Sequence, residues 1–153
     1  IGRLAVRGPT GCRYLDDERQ TNYVRDGWNL TGDTFSMDAD GYFTYQARSD
    51  DMIISAGYNI AGPEVEDALL AHEAVAECGV IGISDEERGQ IVKAIVVLKP
   101  GHAGDEAMVR SLQDWTKARI APYKYPRAIA FVDQLPRTET GKLQRFKLRT
   151  LQA

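Results

Sequence analysis

The hydrophobic pattern breaks this chain into short β-prone runs punctuated by two helical periods. Residues 3–7 read as a strand, and residues 35–45 pair two β-prone runs across an Asp-Gly turn, which predicts a hairpin. After a charged turn over residues 49–51 come a short apolar strand, a turn at Gly57 and Pro63 at a helix start. In that helix Val65, Ala68 and Leu69 share one face, while Glu64, Glu66 and Asp67 sit off it. Residues 75–83 and 91–99 are β-branched runs separated by a polar turn, consistent with two strands of a small sheet. A second helix starts near Asp105 and places Met108, Leu112 and Trp115 at i, i+4 and i+7. Residues 128–132 give another strand, followed by a loop over 135–141 and a short basic helix. From residue 50 onward the order is β-β-α-β-β-α-β-α, so the fold class is α+β with three helices. The charged turn at residues 48–51 sets the boundary, giving residues 1–49 and 50–153 as the two parts.

With 153 residues, 43% of them hydrophobic, the chain can bury one ordinary core or two small ones. Cys12 and Cys78 stand far apart with no short-spaced partner, so neither a disulfide framework nor a thiolate metal site is suggested, and a reducing, cytoplasmic setting fits. No apolar run approaches the ~18–20 residues of a membrane span. The chain lacks an initiator methionine, and Ile1 opens directly onto a strand pattern, as a piece of a longer protein would. Net charge is −3, but nine of the nineteen Lys and Arg lie from Lys117 onward against only Asp133 and Glu139. This basic tail is either a solvated face or a surface that meets phosphates. Nucleic acid is a poor partner, because the chain as a whole is acidic and no recognition motif accompanies the tail.

Four short segments carry candidate chemistry. Asp33 follows Thr31 and Gly32 at a strand end, where a carboxylate can accept two hydrogen bonds from a vicinal diol; a Gly-Asp pair is also a common turn former. Arg48 stands two residues from Asp50, a pairing that suits either a nucleotide contact beside a pivot or a local salt bridge. Ser55, Ala56, Gly57 and Tyr58 place small residues between two apolar strands, which lets a ligand approach the backbone or simply lets the chain reverse. Residues 136–142 resemble the end of a phosphate-binding Walker A loop, yet Pro136 replaces its first glycine and Leu143 stands where the Mg²⁺-binding hydroxyl should be. It is not a P-loop, but Lys142, presented by the turn at Gly141, remains a good point charge for a phosphate or carboxylate oxygen. His72 and His102 lack partners at ligand spacing, so no metal is assigned, and each reads as a surface or helix-end residue. No GxSxG segment recommends a hydrolase.

In order and spacing, GWNLTGD, DGYFTYQARSDDMIISAGYNIAGPEVE and APYKYPRAIAFVDQLPRTETGKLQR resemble the adenylate-forming enzymes: acyl- and aryl-CoA ligases, peptide-synthetase adenylation domains and luciferases. The resemblance covers essentially the whole chain, and ARSDDMIISAGYNIAGPEVEDALL looks nearest to benzoate- and aminobenzoate-type CoA ligases. It implies the small mobile C-terminal domain of that family, preceded by the end of a β-barrel-like subdomain. By that resemblance Asp33 would hold the ATP ribose, Arg48 would contact the nucleotide and Asp50 would be the hinge. Ser55, Gly57 and Tyr58 would line the pantetheine path of CoA, and Tyr123 and Lys124 would touch its nucleotide. Lys142 would be the catalytic lysine of adenylate formation, withdrawn when the domain rotates for thioester formation.

The same resemblance implies ATP, CoA and a small carboxylic acid as substrates, with Mg²⁺ held mainly by a large N-terminal portion of which almost nothing is present here. Any homo-oligomer is expected to form through that portion, no membrane partner is expected, and this chain alone is expected to be inactive. The chain departs from the family pattern at residues 51–54, apolar where relatives are often basic, and at Asn59, where some carry arginine. Two other readings remain open: an adenylation domain that loads a carrier protein, and a non-enzymatic module whose basic tail binds an anionic partner.

Overall fold

The structure is a computed structural model and describes residues 1–9, 18 and 20–150. Cys12 lies outside the described residues. The chain divides into two compact units, Ile1–Asp50 and Asp51–Ala153.

In the first unit β1 (Gly2–Val6), helix α1 (Gln20–Tyr23), β2 (Val24–Arg25), β3 (Trp28–Met37) and β4 (Phe43–Arg48) follow in order. β3 is the spine: β1, β2 and β4 each pair with it antiparallel. The β3–β4 connection is a three-residue loop in which Gly41 N–H donates to the Asp38 carbonyl (3.2 Å) and Asp38 N–H to the Tyr42 carbonyl (3.1 Å). Gly41 sits at φ +87°, the left-handed position such a loop requires. The Asp38 carboxylate locks the turn by accepting from the amides of Asp40 and Tyr42, at 3.0 and 2.9 Å. Phe35 packs edge-on against Phe43 and Tyr45.

The second unit contains β5 (Ile53–Ser55), β6 (Tyr58–Ile60), α2 (Gly62–Leu70), β7 (Val75–Asp85), β8 (Gly89–Leu98), α3 (Glu106–Arg119), a 3₁₀ turn (Pro122–Lys124), β9 (Ala128–Phe131) and α4 (Arg145–Leu148). β7 and β8 form a long antiparallel pair, and β9 joins β8 in parallel, giving the order β7-β8-β9. The near-continuous β-branched runs of β7 and β8 follow from burial on both faces. Cys78, Val80, Val92, Ala94 and Val96 point to one face and pack with Val65 and Leu69 of α2, Leu112 of α3, and Ile53 and Ile60 of the β5–β6 hairpin. Ile81 and Ile95 point to the other and pack with Leu135 and Leu148, with Ile83, Val97 and Leu143 alongside. Gly79 belongs to this second face, where a Cβ would stand 2.6 Å from Leu148 Cδ1 and would displace that side chain, so glycine permits the close approach of α4.

Both long helices start where their sequence says they should. Pro63 occupies the first turn of α2, and the Asp105 carboxylate caps α3 by accepting from Met108 N–H at 2.9 Å. α2 buries Val65, Ala68 and Leu69 as its period predicts. Glu66, read as lying off that face, is instead largely enclosed: Val80 N–H, on the edge of β7 that no strand among the described residues pairs with, donates to its Oε1 at 2.8 Å. Its carboxylate thus completes a sheet edge that the helix period could not reveal. His72 is a helix-end residue, as read, but buried rather than on the surface. Its Nδ1 accepts from Ala74 N–H (3.1 Å), its ring meets Trp115 edge-on, and Trp115 Nε1 donates to the Ala68 carbonyl (2.9 Å). Burial holds the His72 pKa below its usual value; Glu73 opposes that shift, and His102, Arg119 and Lys99 add to it.

Candidate functional site

Three of the candidate residues meet in the first unit. Asp33 and Arg48 are cross-strand partners in β3 and β4, with Arg48 Nε 3.7 Å from the Asp33 carboxylate and 3.5 Å from that of Asp50. Gly32 makes room for this cluster: at φ +79° it leaves open a place where a Cβ would stand 3.1 Å from Arg48 Nη2. Ser49 N–H donates to the Gly32 carbonyl (2.8 Å), and the hydroxyls of Thr34 and Ser49 lie 3.3 Å apart. All three charged side chains keep solvent access, so a ligand hydroxyl can compete for the Asp33 carboxylate.

In the second unit Ser55 and Tyr58 flank a two-residue turn, Ala56–Gly57, with φ of +48° and +82°. Two successive left-handed residues are what a tight hairpin needs, and alanine at the first of them is uncommon. The Ser55 side chain is buried, and the Tyr58 ring is about half exposed. Tyr58 stacks on Tyr123, their ring centroids 4.4 Å apart. Lys124 lies beside Tyr123, but its ammonium is held by both oxygens of Glu64 at 2.6 and 2.7 Å. The five residues assigned by resemblance to a CoA path, Ser55, Gly57, Tyr58, Tyr123 and Lys124, thus lie on one hairpin and one adjoining turn, with the Lys124 ammonium held by Glu64.

Lys142 stands at the end of a second three-residue hairpin loop. Gly141 N–H donates to the Thr138 carbonyl (2.9 Å), Thr138 N–H to the Lys142 carbonyl (2.9 Å), and Gly141 takes φ +81°. The Thr138 hydroxyl accepts from Lys142 N–H at 3.0 Å, the role Asp38 plays in the β3–β4 loop. Arg137 braces the loop from below, donating to the Gly141 carbonyl (2.8 Å) and, through Nε, to Glu77 (3.2 Å). The Lys142 side chain is exposed, while its neighbour Leu143 packs on the second face of the sheet.

Arg145, three residues beyond Lys142, reaches around the edge of β7 and sets one Nη2 2.6 Å from each oxygen of Glu66. Sequence reading gave neither of these residues a role; the only signal was an acidic residue off the apolar face of α2 and an arginine close behind the lysine. The unit therefore carries the Ser55–Tyr58 hairpin on one face of the β7-β8-β9 sheet and the Lys142 hairpin on the other, with the Glu66–Arg145 pair joining the two faces. Among the described residues no group of three or more His, Cys, Asp and Glu could hold a metal ion, and no helix is long and apolar enough to cross a membrane.

The sequence profile of the AMP-binding enzyme C-terminal domain matches residues 64–142, and the chain belongs to this family. It is 45% identical over 151 residues to the benzoate–CoA ligase of Thauera aromatica, covering 97% of this chain and 29% of that protein. To the mitochondrial acyl-coenzyme A synthetase ACSM5 of Homo sapiens it is 47% identical over 159 residues, covering 97% of this chain and 27% of that protein. The crystal structure of the anthranilate CoA ligase AuaEII in complex with anthranoyl-AMP matches with a TM-score of 0.82 and 42% identity, over 97% of this chain and 29% of that one. The chain thus spans less than a third of the length of these relatives.

Proposed function

We propose that the chain is the C-terminal part of a cytoplasmic, ATP-dependent acid–CoA ligase, with an aromatic acid such as a benzoate or aminobenzoate as the favoured substrate. The observation that carries this reading is the placement of two differently equipped hairpins on opposite faces of one small sheet. One domain with two working faces suits two successive half-reactions, with Asp50, at the end of the first unit, as the pivot between them.

In the first half-reaction a carboxylate oxygen of the acid attacks the α-phosphorus of ATP, and pyrophosphate leaves. Negative charge gathers on the reacting oxygens, and Lys142, fixed by the Thr138–Gly141 turn, places an ammonium there. Asp33 accepts from the ribose hydroxyls, and Arg48 holds the nucleotide side of the same cluster. In the second half-reaction the thiol of CoA loses its proton and its sulfur attacks the acyl carbon, releasing AMP. The open turn at Gly57 lets the pantetheine arm pass close to the backbone, and the Tyr58–Tyr123 stack, with the Glu64-paired Lys124 beside it, offers an aromatic surface to the CoA nucleotide. Mg²⁺, which would neutralise the phosphates of ATP, would be held mainly by residues outside this chain. The aromatic preference is supported by the names of relatives, benzoate–CoA ligase and anthranilate CoA ligase.

The test is acid-dependent ATP–pyrophosphate exchange by the full-length protein across benzoates, aminobenzoates and fatty acids, followed by trapping with free CoA or a loaded carrier protein. Exchange with aromatic acids and a CoA thioester as product are expected. Exchange confined to fatty acids removes the aromatic preference, and transfer only to a carrier removes CoA as the acceptor.

A further inference from the structure

The hairpin that carries Ser55, Gly57 and Tyr58 has only three residues in each strand, and a two-stranded ribbon of that size has little stability of its own. Its outer edge is nevertheless fully engaged. Along β5 the amides of Ile54 and Ala56 point away from β6, toward the start of β8. Ala56 N–H donates to the Arg88 carbonyl (2.9 Å), and Ile54 N–H donates to the side-chain oxygen of Gln90 (2.9 Å). The Gln90 amide thus substitutes for the next carbonyl of a neighbouring strand. It is seated over Gly82, where a Cβ would fall 2.9 Å from Gln90 Oε1 and 3.2 Å from Ile53 Cγ2. No residue larger than glycine at position 82 leaves that seat free.

The bond bears on the turn because Ala56 holds a left-handed φ of +48°. A non-glycine residue persists there only when its surroundings over-determine it. Two fixed points on one strand edge, one at the turn and one two residues before it, set both the position and the direction in which the hairpin enters that turn.

We propose that Gln90 is a positioning residue for thioester formation: through Ile54 it fixes the Ser55–Tyr58 hairpin in the geometry that admits the CoA thiol. This inference rests on the ligase reading above. Gln90 touches neither substrate nor reacting atoms. It stands on the face of the sheet opposite the Lys142 hairpin, so its effect is confined to the second half-reaction.

The experiment compares Gln90→Leu, which removes the acceptor, with Gln90→Glu, which keeps one, in the full-length protein. Two rates are read: acid-dependent ATP–pyrophosphate exchange, and CoA-thioester formation from acyl-adenylate supplied ready-made. Hydrogen exchange at the Ile54 amide reports the bond itself. In Gln90→Leu the thioester rate is expected to fall roughly 10- to 100-fold, the scale of a misplacement near 1 Å. Pyrophosphate exchange should stay within about twofold, Ile54 should lose its protection, and Gln90→Glu should restore both thioester rate and protection. Equal losses in both half-reactions, or a normal thioester rate with Ile54 deprotected, would overturn the inference. A wild-type protein inert in both half-reactions overturns the ligase reading and the inference together, and that control separates this outcome from failure of the inference alone.

Discussion

Replacing Arg145 with methionine leaves the Glu66 carboxylate enclosed with one remaining donor, the Val80 amide. Removing one partner of a fully buried ion pair costs ~3–5 kcal/mol, whereas an exposed pair is worth at most ~1 kcal/mol. The side chains of Glu66 and Arg145 are 13% and 24% exposed, so this pair lies toward the buried end. Two features lower the figure: a single nitrogen serves both oxygens, and Arg145 Nε is buried with no hydrogen-bond partner among the described residues. The expected loss is therefore about 2–3 kcal/mol. For a unit of this size that corresponds to roughly 10–20 °C in melting temperature. In residues 1–153 carrying Trp28→Phe, Trp115 is the single tryptophan, and urea unfolding followed by its fluorescence reports the second unit. The double variant Glu66→Gln/Arg145→Met should recover most of the loss, because a neutral amide leaves no stranded charge and its oxygen still accepts from Val80 N–H. A single variant within about 0.5 kcal/mol of the parent, or a double variant as unstable as the sum of the singles, would refute this account of the β7 edge.

Two further outcomes follow from the core. The folded-state pKa of His72 lies below its unfolded value, so below about pH 6.5 the unfolded chain takes up a proton that the folded chain resists, and stability should fall as pH drops from about 7 toward 5. His72→Asn should flatten that slope in urea midpoints, and an unchanged slope would remove His72 as its source. Burial pushes the Cys78 thiol up to about 12, helped by Glu66 and Asp67, so alkylation followed by peptide mapping should label Cys78 at pH 8 only after unfolding; rapid native labelling would contradict its burial.

Much of the second unit could be read from the sequence because its elements obey local rules. The paired β-branched runs, Pro63, Asp105 and the Val65–Ala68–Leu69 face each carry their structural instruction within a few residues. The parallel pairing of β9 with β8 is set by packing across α3 and has no local signature. Neither α1 nor β2 is long enough to show a period. Candidate chemistry divides in the same way. Lys142 and Gly57 stood out because glycine turns mark them, and both turns are present. The groups that brace those turns, Gln90 for one and Arg137 with Glu77 for the other, act over 36 and 60 residues of sequence, beyond the reach of any pattern. Lys124 illustrates the converse: the family resemblance assigned it to the CoA nucleotide, and packing ties it to Glu64, 60 residues away.

The central claim, that Lys142 serves adenylate formation and the opposite face serves thioester formation, is tested most directly by Lys142→Ala in the full-length protein. Acid-dependent ATP–pyrophosphate exchange should fall by roughly 10²–10³, the usual range for removing one preorganised electrostatic contact. Conversion of supplied acyl-adenylate to its CoA thioester should change by no more than a few-fold. Exchange indifferent to Lys142, or equal losses in both half-reactions, would contradict the division of labour between the two faces.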